Sequence, residues 1–291
     1  MSSQTFQEFK RLTARHAQQE GLNLSPIANF GTARFSNPHA RQAEFYEPTL
    51  LMVAQGEKYA YMGQQRYNFS AGQMLAVFLP MPLHCEMLQA SPEKPWLVAG
   101  LLIDSVRLSD MAIRIDRFEG RPRREQRGHG SGVFSIPLDD IMLETTVRLF
   151  RALDDEREAA VLGERIVDEI YYRLLVGEQG HTLRSMIQHK GEVQLIAAAV
   201  DHLHKHLDQP VSVEELADLV HMSRTSFFEH FKRVMHVSPL QYAKGLKLHR
   251  AQALLQEGKT ASEAGYSVGY NSPAQFSREY KRHFGFAPSA T

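Results

Sequence analysis

Apolar residues near the C-terminus recur at the spacing of two short helices. Phe276, Tyr280 and Phe284 lie four residues apart and form one apolar stripe on a helix. The preceding helix-compatible run, 260–268, is followed by Gly269, which adopts a positive φ without penalty. The pattern therefore predicts a helix, a tight turn and a second helix.

A second block of the same kind occurs earlier in the chain. Its first helix is indicated by four apolar residues at i, i+3, i+4 and i+7: Val213, Leu216, Ala217 and Val220. A turn at His221–Met222 and a cap at Ser223 follow, and the next apolar stripe consists of Phe227, Phe231 and Val234. A helix from about Pro239 to Gln256 joins the two blocks. Two helix-turn-helix units on one connecting helix are a far more specific signal than either unit alone.

The faces opposite these apolar stripes carry polar and basic residues that a DNA major groove can accept. Base contacts are predicted in the first unit for Thr225, Phe228 and Glu229, and in the second for Ala274, Gln275, Ser277 and Arg278. Arg278 is the best candidate for a bidentate contact to guanine. Phosphate contacts are predicted for Arg224, Lys232, Lys281 and Arg282. Taken alone, each unit also fits a helical hairpin with a solvated basic face.

The segment from about Glu192 onward resembles the DNA-binding domain of the AraC/XylS family of bacterial transcription regulators. The stretches that carry the resemblance are SVEELADLVHMSRTSFFEHFKR, SPLQYAKGLKLHRAQALL and VGYNSPAQFSREYKRHFGFAP. One departure is Gly265, where the family usually has a helix former, and glycine should cost about 1 kcal/mol relative to alanine there. The joining helix should span about 27 Å, less than one DNA turn of about 34 Å. Both recognition helices are therefore expected to enter successive major grooves of bent DNA.

Between residues 27 and 104 the hydrophobic pattern changes to that of short strands. The predicted strands are residues 33–35, 49–55, 58–62, 65–69, 73–79, 84–90 and 96–104, and Gly63–Gln64 is a hairpin signal. Many short strands with frequent turns predict a small barrel or sandwich. The region resembles an AraC-type N-terminal domain through Tyr46-Glu47-Pro48, Gln55-Gly56, Gly72-Gln73, Pro80 and the stretch 90–95. The resemblance implies a cupin-like barrel that senses a small molecule or helps to form a dimer.

An organic effector inside the barrel would meet aromatic and polar side chains. The candidate lining residues are Tyr46, Tyr59, Tyr61, Phe78, His84 and Trp96, although for each of them taken singly core packing is the favoured interpretation. The barrel has His39 and His84 45 residues apart and shows no metal-ligand pattern, so neither a metal nor a cofactor is expected. Cys85 is a redox candidate, although a buried, inert thiol is the favoured interpretation.

Helices are predicted on both sides of the barrel sequence. A short amphipathic helix is expected over about residues 5–19, and two more over 138–153 and around 167–174. In the family, helices at the latter place make a dimer contact, and capping of their own barrel is the alternative. The segment from Arg114 to Gly132 is rich in arginine and glycine and is predicted to be a surface loop.

These predictions define an α+β chain with a cupin-like β-barrel and a helical dimerisation hairpin, followed by an all-α domain of two helix-turn-helix units. The expected boundaries are 1–177 for the sensing and dimerisation domain, 178–191 for a glycine-punctuated linker and 192–291 for the DNA-binding domain.

Composition changes this picture only slightly. The chain has 33 basic and 33 acidic residues, with a small basic excess of 13 over 10 from His181 onward. The chain has one cysteine and a polar N-terminus without a signal-peptide pattern, which predicts a cytoplasmic protein. It has no long apolar run, so no membrane span is expected.

The sequence thus predicts a non-enzymatic transcription regulator that binds double-stranded promoter DNA as a homodimer. It is expected to respond to a small-molecule effector, and to contact RNA polymerase if it is an activator. A cupin-type enzyme or ligand carrier, and a constitutive DNA-binding dimer without an effector, are the alternatives.

Overall fold

The structure, a computed structural model, describes residues 3–62, 65–119, 132–188 and 192–291. The strands are β1 (Gly21–Leu24), β2 (Phe30–Phe35), β3 (His39–Tyr46), β4 (Thr49–Gln55), β5 (Glu57–Met62), β6 (Gln65–Ser70), β7 (Gln73–Val77), β8 (Met81–Met87), β9 (Trp96–Leu102) and β10 (Val133–Pro137). The helices are α1 (Ser3–His16), α2 (Ser105–Glu119), α3 (Asp140–Ala152), α4 (Glu156–Val176), α5 (Gly180–Gln188), α6 (Glu192–Lys205), α7 (Val213–Leu219), α8 (Arg224–Met235), α9 (Pro239–Gln256), α10 (Ala261–Ser267) and α11 (Pro273–Phe284), and a 3₁₀ turn follows at Pro288–Ala290.

The strands form two antiparallel sheets, which together make up the β domain. The first has the order β1-β2-β9-β4-β7-β10 and the second the order β3-β8-β5-β6. The β5–β6 pairing joins Met62 to Gln65, as the hairpin prediction requires, although the turn residues 63 and 64 lie outside the described part of the chain. The α+β class predicted from the sequence is confirmed.

Side-chain alternation places one core between the two sheets. In β5, Lys58, Ala60 and Met62 are buried, whereas Tyr59 and Tyr61 between them are half-buried on the opposite face. Buried residues of both sheets, such as Leu83 of β8 and Val98 of β9, belong to the same cluster. Two stacked sheets with interdigitating inner faces are the expected result of this period-two pattern.

The other face of the six-stranded sheet is covered by α1, α3 and α4. Phe150 of α3 lies at the centre, with its ring 5.2 Å from Phe30 and 6.2 Å from Phe9 between ring centroids. The hydroxyl of Tyr171 on α4 accepts a hydrogen bond of 2.9 Å from the backbone N–H of Asp104. Apolar residues of α3 are buried on more than one side of the helix, because it packs against both the sheet and its helical neighbours.

Several elements differ from the sequence predictions. The expected loop from Arg114 is helical up to Glu119, because α2 buries Leu108, Ala112 and Ile115 at i, i+4 and i+7. The rest of that arginine-rich stretch, 120–131, lies outside the described residues. The strands β1, β3 and β10 were not predicted, and β8 begins three residues earlier than expected, at Met81.

The predicted linker contains a well-anchored helix. The Arg184 guanidinium on α5 is buried and lies 3.0 Å from Asp116 and 2.7 Å from Glu119 on α2. Its Nη1 also donates a 2.9 Å hydrogen bond to the carbonyl of Leu175 at the end of α4. The segment 180–188 is therefore fastened to α2 and to the end of α4, and residues 189–191 lie outside the described part of the chain.

Helices α6 to α11 form the second part of the molecule, here called the C-terminal domain. The connecting helix α9 runs over Pro239–Gln256 as predicted, and a capping box at Ser238 and Gln241 starts it. Tyr242, Leu248 and Ala251 are buried at different angles around α9, because both helix-turn-helix units and the β domain pack against it.

The C-terminal domain packs directly on the outer face of the four-stranded sheet. The Tyr242 hydroxyl donates a 2.9 Å hydrogen bond to the carbonyl of Pro80. The Phe45 ring lies 5.8 Å from the His204 ring of α6 and 5.6 Å from the His249 ring of α9. The two parts of the molecule therefore share a contact that involves the connecting helix itself.

None of the helices in the described part of the chain combines the length and apolar character needed to cross a membrane.

Candidate nucleic-acid interface and effector site

The first helix-turn-helix unit consists of α7 and α8. The Ser212 hydroxyl caps α7 by accepting a hydrogen bond from the backbone N–H of Glu215, and Ser223 caps α8 in the same way. Between them His221 has a φ of 56°, and the N–H of Met222 donates to the carbonyl of Ala217 at 2.9 Å. The left-handed residue turns the chain sharply enough for α8 to cross α7.

The second unit repeats this construction with α10 and α11. Thr260 and Glu263 form a capping box at the start of α10. Gly269 has a φ of 84°, and the N–H of Tyr270 donates to the carbonyl of Gly265 at 3.0 Å. Pro273 occupies the first turn of α11, where its missing N–H costs nothing.

The predicted DNA contacts lie on the outer surfaces of α8 and α11. The exposed ones are Arg224, Thr225, Phe228, Glu229, Lys232, Ala274, Gln275, Arg278, Lys281 and Arg282, and Ser277 is half-buried. Large apolar residues on the inner surfaces, such as Phe231 and Phe276, are fully buried. The structure therefore presents the predicted contact residues to solvent while the C-terminal domain is docked on the β domain.

The outer surfaces of α8 and α11 carry basic residues at different positions along the helix. Arg224 at the start of α8 forms a 2.8 Å ion pair with Glu214 of α7, although both side chains are largely exposed. On α11 the basic residues Lys281 and Arg282 lie in the last turn, where they also complement the helix dipole. Exposed pairs contribute little to stability, so Arg224 can exchange Glu214 for a phosphate at small cost.

Sequence reasoning missed Glu279, which braces the second unit from inside. Its carboxylate accepts hydrogen bonds from Lys244 of α9 at 3.0 Å and from the Tyr270 hydroxyl at 2.8 Å. Burial opposes ionisation of Glu279, but the hydrogen bonds from Lys244 and Tyr270 outweigh it and lower its pKa. No local pattern reveals this contact, because Lys244 is 35 residues away in the sequence.

Two of the predicted effector-binding residues face the core between the sheets. Tyr46 donates a 2.8 Å hydrogen bond to Glu44, whose carboxylate pairs with the buried ammonium of Lys58 at 2.6 Å. The Lys58 ammonium also lies 5.0 Å from the centre of the Trp96 ring. The Trp96 Nε1 is buried and has no hydrogen-bond partner among the described residues. This polar cluster is unusual for a protein interior and is a candidate ligand-recognition site.

The other four candidates lie outside that core, contrary to the picture of a barrel lining. Tyr59, Tyr61 and His84 project from the outer face of the four-stranded sheet, because they alternate with buried residues of β5 and β8. Tyr61 stacks against the Arg41 guanidinium at 4.0 Å. Phe78 packs on the helix-covered side of the other sheet, with its ring 5.9 Å from Phe134.

Cys85 lies inside the β domain, on the face of β8 opposite to His84. Its thiol is fully buried and lies 3.6 Å from the Tyr46 hydroxyl. Burial, followed by the negative charge of Glu44, raises the pKa of Cys85 to about 12. The thiol is therefore protonated at neutral pH, which disfavours reaction with oxidants. Among the described residues no three His, Cys, Asp or Glu side chains converge as metal ligands.

Comparison with known proteins identifies the family. Residues 26–182 match the family model described as "AraC-type transcriptional regulator N-terminus". The chain belongs to the AraC family of transcription regulators. Residues 216–291 match the model of a helix-turn-helix domain, which covers α8 to α11 and most of α7. The chain is thus a DNA-binding transcription regulator, as the sequence resemblance predicted.

Individual AraC-family relatives resemble the chain over different lengths. The lactose operon transcription activator of Staphylococcus xylosus is 21% identical over 253 residues, covering 84% of this chain and 83% of that protein. The regulator ArgR of Pseudomonas aeruginosa is 33% identical over 94 residues, which is 32% of this chain and 29% of that protein.

Solved structures show the same fold at low sequence identity. A single-residue variant of ToxT from Vibrio cholerae, in its apo form, aligns with a TM-score of 0.61 and 10% identity over 92% of this chain and 98% of that one. Wild-type ToxT bound to an unsaturated fatty acid aligns with a TM-score of 0.59 and 11% identity, over 94% and 96%.

Proposed function

We propose that this AraC-family regulator recognises DNA with α8 and α11 in successive major grooves and that a small-molecule effector controls the binding. The observation that carries the first part is the shared construction of the two units on α9, with both outer helix faces exposed. Arg278 reads a guanine, and its neighbours on α11 refine the second half-site. Thr225, Phe228 and Glu229 read the first half-site, while Arg224, Lys232, Lys281 and Arg282 hold phosphates.

Selection of binding sites from random DNA tests this proposal. The enriched site is expected to contain two short blocks about one helical turn apart, and binding should weaken steeply with salt. Arg278→Ala should weaken the free energy of binding to the selected site by about 1–3 kcal/mol and relax the sequence preference at one base pair. Lys281→Ala, one turn further along α11, is the matched control and should weaken binding to all sequences alike. Retention of the full preference by Arg278→Ala would contradict the assigned role of Arg278.

Effector control is supported by a cavity between the two parts of the molecule. It has a volume of about 640 Å³, within the range of small-molecule sites, and its walls come from β3 on one side and from α6, α9, α11 and the residues after α11 on the other. Phe45 and Phe286 supply apolar walls, and Arg250 supplies a positive charge. A ligand here touches both domains and so acts on their docking, and the Lys58–Trp96 cluster inside the β domain is the second candidate site. ToxT, which shares the fold, has been solved with an unsaturated fatty acid.

Thermal-shift measurements with a panel of carboxylic acids, including fatty acids, test for such an effector. A binder of the cavity should raise the melting temperature and change DNA affinity, and Arg250→Ala should weaken both effects. Arg157→Ala, at an exposed position on α4, is the matched control. A ligand whose effect survives Arg250→Ala but disappears in Trp96→Phe would place the site inside the β domain instead. A panel without any binder would favour a constitutive regulator.

The proposed organisation is a non-catalytic, cytoplasmic homodimer that contacts RNA polymerase if it activates transcription. The sensing and dimerisation domain comprises residues 1–177, the linker 178–191 and the DNA-binding domain 192–291. Support for dimerisation comes from α4, whose outer face exposes Val161, Leu162, Tyr172 and Val176. Sedimentation of the full chain and of Val161→Glu tests this. The wild-type chain should sediment as a dimer, and Val161→Glu should shift it toward the monomer. A wild-type chain that binds DNA as a monomer would contradict dimerisation.

A further inference from the structure

Three histidines from three different elements meet where α9 and α11 rest on the β domain. The Nε2 atoms of His249 and His283 are 3.3 Å apart, and their ring centroids 5.1 Å. The ring of His84, from β8, lies 6.3 Å from that of His283. Contact between two imidazole nitrogens is favourable only when one is a donor and the other an acceptor, which requires at least one neutral ring.

The surroundings of this cluster are poor in groups that could stabilise added charge. The His249 ring packs against the rings of Phe45 at 5.6 Å and Phe284 at 5.0 Å. On β3, the charge of Arg41 adds to burial in lowering the pKa of His84. Burial, and then the charges of His283 and His84, lower the pKa of His249 to about 3. Burial and the charge of His84 lower the pKa of His283 to about 4.

Other titratable groups face the same region from neighbouring elements. The cavity beside His249 is lined by Glu44, Glu47, Arg250 and His204 of α6. The Glu44 carboxylate is held by Lys58, and burial raises the pKa of Glu47. His204 lies 3.0 Å from the Tyr242 hydroxyl, and burial lowers its pKa as well. The contact is therefore built from neutral imidazoles.

We propose that docking of the C-terminal domain on the β domain is linked to proton release from His249 and His283, so that mild acid shifts the chain toward an undocked state. The two side chains lie within the contact between the domains, and separation returns them to water. The linkage is thus a property of the contact itself and does not depend on an effector.

The direction of the effect follows from where the protons bind. An imidazole exposed by undocking regains its ordinary pKa of 6.5, whereas the docked rings stay neutral far below that pH. Above pH 6.5 the rings are neutral in both states, so docking carries no proton penalty. As the pH falls toward the pKa values of the docked rings, docking becomes progressively weaker. Between pH 7.5 and 5.5 a single ring changes the undocking constant about 10-fold, and the pair changes it by up to about 100-fold, a limit set by the mutual repulsion of two rings that stay neighbours within the C-terminal domain.

Thiol labelling of the full chain can measure this constant even when the undocked state is rare. Ala43 faces the C-terminal domain from β3, lines the cavity and is only 6% exposed. In a Cys85→Ala background, the thiol of Ala43→Cys should react with a polymer-linked maleimide, too large for the cavity, only after undocking. Gln89→Cys, at an exposed position, corrects for the pH dependence of the reagent. The corrected rate should rise by more than about 10-fold, and by at most about 100-fold, from pH 7.5 to 5.5.

Substitution of the histidines identifies the source of the rise. His249→Gln/His283→Gln keeps two neutral hydrogen-bonding side chains and should remove most of the pH dependence, leaving only the smaller share of His84 and His204, whose pKa values burial also lowers. The single variant His283→Gln, a milder change should the double variant fold poorly, should retain about a 10-fold rise. His181→Gln, at an exposed position on α5, is the matched control and should keep the full rise.

Three results would overturn the proposal. The first is a constant labelling rate in the chain that retains both histidines. The second is an undiminished rise in the variants without them. The third concerns Cys85 of the unsubstituted chain, which is buried inside the β domain and reports its unfolding. If Cys85 reacts as fast as Ala43→Cys, the acid-induced event is unfolding of the β domain and not undocking.

Discussion

The two helix-turn-helix units reach the same backbone geometry with different residues. In the first, Ala217 and the left-handed His221 frame the turn, and in the second Gly265 and Gly269 occupy the corresponding places. The carbonyls of Ala217 and Gly265 accept equivalent hydrogen bonds from the residue five positions later. The glycines of the second unit are therefore not weak points by themselves, because a Cβ at Gly269 would overlap the backbone of Asp208 and one at Gly265 would crowd the Phe276 ring.

The units also differ in what they pack against. The core of the first unit, including Phe227 and Phe231, is continuous with that of the β domain through Tyr242 and Leu246. The second unit has a separate small core around Phe276 and Tyr280, closed on the far half of α9. The core of the first unit is thus continuous with that of the β domain, whereas the second unit touches the β domain through α11 but has a core of its own.

Removal of the central ring of the second unit should have the largest effect. Phe276 is fully buried, so Phe276→Ala should cost about 3–5 kcal/mol. Hydrogen exchange of α10 and α11 should accelerate strongly, while α7 and α8 keep their protection. In the matched variant Phe231→Ala, the loss of protection from hydrogen exchange should extend from α8 to the strands whose side chains share its core. Equal loosening of both units by Phe276→Ala would show that the two cores are not separate.

A substitution at the turn of the second unit should come next. At Gly269, a Cβ would lie only 2.4 Å from the carbonyl oxygen of Asp208, in addition to the strain of a φ of 84°. Gly269→Ala should therefore destabilise the domain by about 3 kcal/mol in urea unfolding. Gly285→Ala is the control, because Gly285 has a φ of 87° but open space around it. Gly285→Ala should lower the free energy of unfolding by only about 1 kcal/mol. If Gly269→Ala and Gly285→Ala destabilised equally, the close approach of the Asp208 carbonyl would not matter.

The smallest effect is expected at Gly265, where two contributions oppose each other. Alanine gains about 1 kcal/mol of helix propensity, but its Cβ would lie 3.0 Å from Cγ of Phe276. We expect Gly265→Ala to be destabilising by about 1 kcal/mol in net terms. Combination with Phe276→Leu should recover part of the loss in a double-mutant cycle. A clear increase in stability from Gly265→Ala alone would show that Phe276 can move away.

The C-terminal domain could be predicted closely because its signals are local. Residues close together in the sequence determine the apolar spacing along each helix and the bounds of α9. The same holds for helix caps such as Ser223 and Ser272. The departure of Gly265 from the family pattern was also visible, but its reason was not. That reason is the Phe276 ring, and contact across the turn leaves no trace in the local pattern.

The β domain was predicted less well for a physical reason. Strand β3 reads HARQAEFY and lacks a simple alternation, since one part of its outer face is exposed and another is covered by the C-terminal domain. Tyr59 and Tyr61 share one face of β5, but the sequence does not say which face is internal. Lys58 was overlooked, because a lysine inside a core is expected only when a partner such as Glu44 is known.

The anchored helix α5 has a consequence for how strong the contact between the domains needs to be. Arg184 fastens α5 to α2, and α6 begins four residues after Gln188, so the ends of the two helices can be no more than about 14 Å apart. Such a short tether keeps the domains at a mutual effective concentration in the millimolar range. A contact with an intrinsic dissociation constant of about 0.1 mM would then be closed in roughly nine of ten molecules. Weak contacts suffice for the chain to remain docked, and a small chemical change suffices to release it.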